Sequence, residues 1–148
     1  MDRGRPRVKV LDASMALAWL FPRTDAAEAA LAEQGLDELD YEKFLVPTIW
    51  YGEVANAILR GERKGLVTHA QSAAFLAELD SADIETETDS PKLRQSVVLA
   101  LGRSHGLTAY DAMYMELALR RAAPLATFDR QLAEAVRKAG GRVFGDAA

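Results

Sequence analysis

Val8-Lys9-Val10-Leu11-Asp12-Ala13-Ser14-Met15-Ala16-Leu17-Ala18-Trp19 is the stretch that decides the fold. Its first four residues are apolar apart from one lysine and read as a short strand. Ser14 to about Leu20 follows at once as an apolar helical run, which Pro22 ends. A strand feeding directly into a helix opens a parallel α/β unit. Asp12 stands at the joint. A carboxylate between two buried elements costs several kcal/mol unless something compensates it. It is either the N-cap of the helix, a place Ser14 would also fill, or a functional group at the end of a strand.

The same alternation continues outward from this unit. Asp25 and Glu28 have capping-box spacing and open a second helix through Ala26, Ala29, Ala30 and Leu31, ending between Gly35 and Asp40. Phe44-Leu45-Val46 is a second strand, and Pro47-Thr48 starts a helix to about Arg60. Thr68 with Gln71 caps a helix carrying Ala74, Phe75 and Leu79. Asp83 to Glu87 alternates weakly, as a thin edge strand with a solvated acidic face would. Ser90 and Pro91 open a helix through Leu93, Val97, Val98 and Leu101, closed by Gly106. Thr108 opens another through Tyr110, Met113, Tyr114 and Leu117. Leu125-Ala126-Thr127 reads as a strand, Asp129 to Ala139 as a helix, and Arg142-Val143-Phe144 as a last strand.

The sum is an α/β, three-layer, doubly wound fold with a central, mostly parallel sheet of about five strands flanked by helices. In such sheets ligands bind beyond the carboxyl ends of the strands, where strand order reverses. The acidic residues at those ends therefore carry the functional question.

A chain of 148 residues suits one domain, 1–148, with a loose basic terminus over residues 1–7. Net charge is −4, which excludes a strongly basic nucleic-acid coat and leaves room for a local basic patch. Cysteine is absent and only His69 and His105 exist, so thiolate and multi-histidine metal sites are excluded. Both histidines read as structural. Any metal must take oxygen ligands, which suits Mg²⁺ or Mn²⁺. The longest uncharged apolar stretch, Ala13 to Pro22, is about half of the roughly 20 residues a membrane span needs. The expected location is the cytoplasm, with no membrane partner.

Three further carboxylates interrupt apolar patterns. Glu53 shares a helical stripe with Ile49, Asn56 and Ala57, and either pairs with Arg60 or Lys64 or joins a site that Asn56 helps to orient. Asp111 completes a capping box with Thr108, or stands at the lip of the core on the face of Tyr114, Met115 and Ala118. Asp129 follows a strand by two residues and is either an N-cap or, if that strand lies beside the first, a neighbour of Asp12 at the switch point. Brought together, four such groups would repel and some would take up protons. A divalent cation removes that penalty and leaves positions open for water and substrate, which suits phosphodiester hydrolysis.

Val10-Leu-Asp12-Ala-Ser14, Pro47-Thr-Ile-Trp-Tyr-Gly-Glu53-Val-Ala-Asn56, Leu107-Thr-Ala-Tyr-Asp111-Ala and Leu125-Ala-Thr127-Phe-Asp129 resemble the successive signatures of PIN-domain ribonucleases, and most closely the VapC toxins of bacterial toxin–antitoxin pairs. The likeness runs from about Val8 to Phe144. It implies a Mg²⁺- or Mn²⁺-dependent endoribonuclease whose acidic quartet is Asp12, Glu53, Asp111 and Asp129. In that reading Asp12 and Asp129 hold the principal ion, Asp111 shares it, and Glu53 positions the water or a second ion. Ser14 and Thr127 fall where hydroxyls support the metal, and Asn56 on the amide that accompanies the glutamate.

The resemblance also implies an RNA substrate, a homodimer, and a cognate VapB-like antitoxin that silences the enzyme. The stretch from Gly35 to Lys43 matches no motif, and the basic extension before Val8 is longer than usual. RNA affinity must then come from local groups, for which Arg60, Arg63 and Lys64 are the candidates. Trp19, Trp50, Tyr110 and Tyr114 read as core or dimer-contact aromatics. Ser14 stands where a phosphoaspartyl hydrolase would want its second aspartate, which disfavours that chemistry. The alternative from another class is a catalytically inert PIN-like binding module.

Overall fold

The structure, a computed structural model, describes residues 7–147. The basic extension expected to be loose, apart from Arg7, lies outside the described residues. The elements are β1 (Val8–Leu11), α1 (Ala13–Leu17), α2 (Ala26–Glu38), β2 (Lys43–Val46), α3 (Ile49–Arg63), α4 (His69–Ser81), β3 (Ile84–Thr86), α5 (Pro91–His105), α6 (Ala109–Arg120), β4 (Leu125–Ala126) and α7 (Arg130–Lys138). The sheet order is β3-β2-β1-β4, and every pair is parallel.

This order explains the helix layers. The chain steps from β1 to β2 to β3 in one direction, then returns past β1 to place β4 on its other side. Right-handed crossovers put the helices of the first two steps on one face and those of the return on the other. Accordingly α1 packs against α2 and α3, whereas α6 packs against β1, β4, α5 and α7. The reversal between β1 and β4 is the switch point that the alternation predicts.

Sequence-level punctuation acts where expected. Asp25 accepts from the Glu28 amide, and Thr68 with Gln71 forms a complete capping box. Gly106 ends α5 with φ 65°, the left-handed region that favours glycine. Phe44, Leu45 and Val46 are buried, as are Val10, Leu11, Leu125 and Ala126, so the strands are covered on both faces.

Three expectations change. The helix after β1 stops at Leu17, and the chain runs on to Phe21 in tighter turns, with the Trp19 and Leu20 amides bonded to carbonyls three residues back. The sheet has four strands rather than five. Arg142-Val143-Phe144 contributes a single parallel bridge, Leu125 to Val143. The chain turns away immediately, with the Asp146 amide bonded to the Val143 carbonyl and Gly145 at φ 98°. The acidic face around β3 is also only partly solvated. Glu85 pairs with Lys43, but Glu87 is turned in against Arg120.

Candidate active site

The parallel pairing of β1 with β4 brings Asp12 and Thr127 to the same sheet end. Val10 and Leu11 register with Leu125 and Ala126, and the Asp12 amide donates to the Ala126 carbonyl at 3.0 Å. Asp12 occupies the N-cap position of α1, yet its side chain makes no cap hydrogen bond. Its Oδ2 instead accepts the Ser14 and Thr127 hydroxyls, each at 2.6 Å. The side chain is buried, and the capping explanation does not apply.

A chain of hydrogen bonds ties this group to the last carboxylate. The Asp129 amide donates to Thr127 Oγ1 at 2.9 Å, and the Phe128 amide donates to Ser14 Oγ at 2.9 Å. Asp129 does cap α7, with Oδ1 accepting from the Leu132 amide at 3.0 Å. Capping occupies one oxygen and leaves Oδ2 outside that bond.

Glu53 comes from α3 and Asp111 from the first turn of α6. Glu53 pairs with neither Arg60 nor Lys64; its Oε1 accepts the Tyr114 hydroxyl at 2.5 Å. Tyr114 is fully buried in α6, one helical turn beyond Asp111. It is a core aromatic, as read, but also the direct partner of a site carboxylate. Its hydroxyl could have been suspected from its spacing, since a buried phenol needs a partner. The Asp111 amide donates to Thr108 Oγ1, half of the expected capping box.

Electrostatics links the four. Burial pushes the Asp12 carboxyl up to about 6 against the pull of the two hydroxyls, and the charges of Glu53 and Asp111 push the same way. Glu53 is raised by burial and by Asp111, while the Tyr114 hydroxyl lowers it. Asp111 is raised by burial and by the charge of Asp129, with the Thr108 hydroxyl opposing. The Tyr114 phenol is raised well above its usual range, first by burial and then by the bond to Glu53.

As the side chains stand, no group of three or more Asp, Glu or His residues among the described ones is arranged to hold a metal ion. Asp12, Glu53 and Asp129 are each turned to donors of their own, namely two hydroxyls, a phenol and a helix amide. The available donors are oxygens throughout.

The remaining candidates separate. Ser14 and Thr127 lie against Asp12. Asn56 is exposed and makes no side-chain hydrogen bond among the described residues. Arg60, Arg63 and Lys64 are exposed at the far end of α3, roughly 10 to 16 Å from Glu53 along the axis at about 1.5 Å per residue. The structure does not bring them to the carboxylates.

A parallel sheet flanked by helices, with Asp12 at the β1–α1 joint where strand order reverses, defines a class of three-layer α/β domains. Residues 9–138 match the PIN domain model, and the chain belongs to the PIN-domain family. It is 35% identical over 130 residues to Ribonuclease VapC3 of Pyrobaculum aerophilum, covering 84% of this chain and 92% of that protein. The crystal structure of PAE2754 from Pyrobaculum aerophilum superposes with a TM-score of 0.67 at 22% identity, over 93% of this chain and 88% of that one. FitAcB from Neisseria gonorrhoeae gives a TM-score of 0.58 at 19% identity, over 93% of this chain and 96% of that one. These two likenesses concern the fold.

Proposed function

We propose that the protein is a divalent-cation-dependent endoribonuclease serving as the toxin of a two-protein toxin–antitoxin pair. The observation that carries this reading is Asp12, a buried carboxylate raised to about 6 that two hydroxyls and the charges of Glu53 and Asp111 surround at the switch point. The likeness to Ribonuclease VapC3 supports the substrate class and the toxin role.

The residues fit a hard divalent ion by donor type and by charge, with side-chain rotation needed to close on it. Asp12 and Asp129 would hold Mg²⁺ or Mn²⁺, Asp111 would share it, and Ser14 and Thr127 would fix the Asp12 carboxylate. The ion supplies charge neutralisation at the phosphate and activation of a water. Glu53, held through Oε1 by Tyr114, would have its other oxygen left to position a water or a second ion. Helix α5 has no buried residue, and Leu93 and Val97 stand exposed one turn apart. That face suits the expected homodimer. No helix among the described residues is long and apolar enough to cross a membrane.

The test is cleavage of RNA by purified protein with Mg²⁺ or Mn²⁺, against the same protein in EDTA and against Asp12→Asn. Cleavage by the unmodified protein alone, leaving 5′-phosphate ends, is the expected result. Cutting that survives both changes would refute the assignment, and complete inactivity with intact RNA binding would favour the binding module. Co-expression with the neighbouring reading frame tests the antitoxin.

A further inference from the structure

We infer that the cleft at the amino-terminal end of the sheet binds the phosphate backbone of RNA, through Arg7, Arg121 and Arg142. The inference rests on the ribonuclease reading. It adds a source of affinity away from the carboxylates, in a chain whose net charge of −4 opposes RNA as a whole.

Parallel strands all begin at one end of a sheet, so the residues that lead into them converge. Arg7 leads into β1, the turn of Arg121 and Ala122 leads into β4, and Arg142 leads into the Val143 bridge. Register holds the three entries side by side, since Val10 pairs with Leu125 and Leu125 with Val143. The cleft they line has a volume of about 700 Å³.

Charge assigns the ligand. Four of the eight residues lining the cleft are cationic, and none is acidic. Lys9 is already neutralised, 3.0 Å from Glu38 and 3.3 Å from Glu42. Arg7 and Arg142 pair with no carboxylate among the described residues. Glu87 comes only to 3.7 Å from Arg121 and lies nearer to Arg120, at 3.2 Å. All three arginines are exposed. Arg142 is fixed by a bond from Nη2 to the Ala122 carbonyl at 2.8 Å, which leaves most of the five donors of its guanidinium for a ligand. Such forks match phosphate oxygens, and an anion among three converging cations relieves their repulsion. Arg3 and Arg5 precede Arg7 in the sequence and extend its basic run.

Distance indicates which phosphates enter. Strand β1 carries the chain from Val8 at the cleft to Asp12 at the carboxylates, about 13 Å at roughly 3.3 Å per residue. The cleft therefore holds phosphates away from the cut rather than the one being cut. Contacts of this kind position an RNA without reading its bases.

The experiment compares the full chain with two triple variants. One is Arg7→Gln, Arg121→Gln and Arg142→Gln; the other removes the rival cluster of exposed cations on α3, as Arg60→Gln, Arg63→Gln and Lys64→Gln. Thermal melts verify folding. Fluorescence anisotropy in EDTA follows single-stranded RNA oligomers of several sequences over a salt series. The slope of log affinity against log salt is about 0.7 per phosphate contact, so the cleft triple should flatten it by about 2 and the α3 triple by much less. The loss should be the same for every sequence. With Mg²⁺, the cleft triple should raise KM for long RNA at unchanged kcat, and should cut oligomers too short to span the two places as the unmodified protein does. Should the triple melt low, Arg7→Gln alone makes the test, with a flattening of about 0.7.

An unchanged slope, or equal flattening by both triples, would overturn the cleft while leaving the nuclease intact. Lost stability with an unchanged slope would leave the arginines only the task of balancing the C-terminal end of α6, which favours cations, and would overturn it equally. So would a cleft triple that loses an acidic partner peptide but no RNA. An unmodified protein that neither binds nor cuts RNA would refute the ribonuclease reading itself, and the cleft's ligand with it.

Discussion

Burial raises the Asp12 carboxyl to about 6, and the two hydroxyls on Oδ2 offset this only in part. An acid whose native value lies above its unfolded value of 3.8 holds extra protons in the folded state between those two values. In metal-free protein its contribution to stability therefore falls as pH rises from about 4 to about 6 and stays low above. Asp12→Asn should accordingly stabilise the metal-free protein at pH 7 by an amount on the order of 3 kcal/mol, at about 1.36 kcal/mol per pH unit, and by little near pH 4. Urea unfolding in EDTA at both pH values checks this; equal effects at the two would contradict it. Tyr114→Phe should cost about 1 kcal/mol of stability through the lost hydroxyl bond. It should also raise the Glu53 carboxyl, since that hydroxyl holds it down, and shift the acidic limb of the pH–rate profile upward. At this scale the sequence was legible wherever a carboxylate broke an apolar pattern. Asp12, Glu53, Asp111 and Asp129 stand out as charges; Tyr114 does not, because an aromatic at helical spacing looks like core whether or not its hydroxyl has work.

Elements were readable through their punctuation. Capping residues mark α2, α4, α5 and α6, and each begins where its cap predicts. Helix α2 ends at Glu38, within the expected stretch, and Gly35 lies inside it, buried with Trp19, Met15 and Phe144 close around it. One boundary escaped for a reason outside any local pattern. The last strand shrinks to one bridge because the turn at Gly145 intervenes. Gly141, between α7 and that bridge, lies so close to α6 and α7 that an added Cβ would meet Val136 Cγ1 at 2.7 Å and Leu119 Cδ2 at 2.9 Å. Gly141→Ala should destabilise by about 1–3 kcal/mol, the usual effect of overpacking. Calorimetric melting checks this, and an unchanged Tm would show that the joint relaxes freely. Thr68→Ala, losing a full capping box, should lower stability by about 1 kcal/mol in the same assay.

At the scale of the molecule, strand alternation implied a parallel sheet but not which strands touch. That β4 lies against β1 depends on burying both strands under helices from two faces, a balance no window of sequence contains. The exposed stripe of Leu93 and Val97 belongs to this scale as well. If it is the dimer face, Leu93→Lys with Val97→Lys should convert the protein to monomers in light scattering without lowering its melting temperature; an unchanged mass would move the interface elsewhere.

The bond from Thr127 to Asp12 spans 115 positions of chain. During synthesis the first strand and its aspartate leave the ribosome early and wait, their open edge unmatched, until the partner strand is made. A truncated product that stops before residue 125 has one wall of the pocket and none of the other. The joining of the two walls is thus deferred to the final stage of translation.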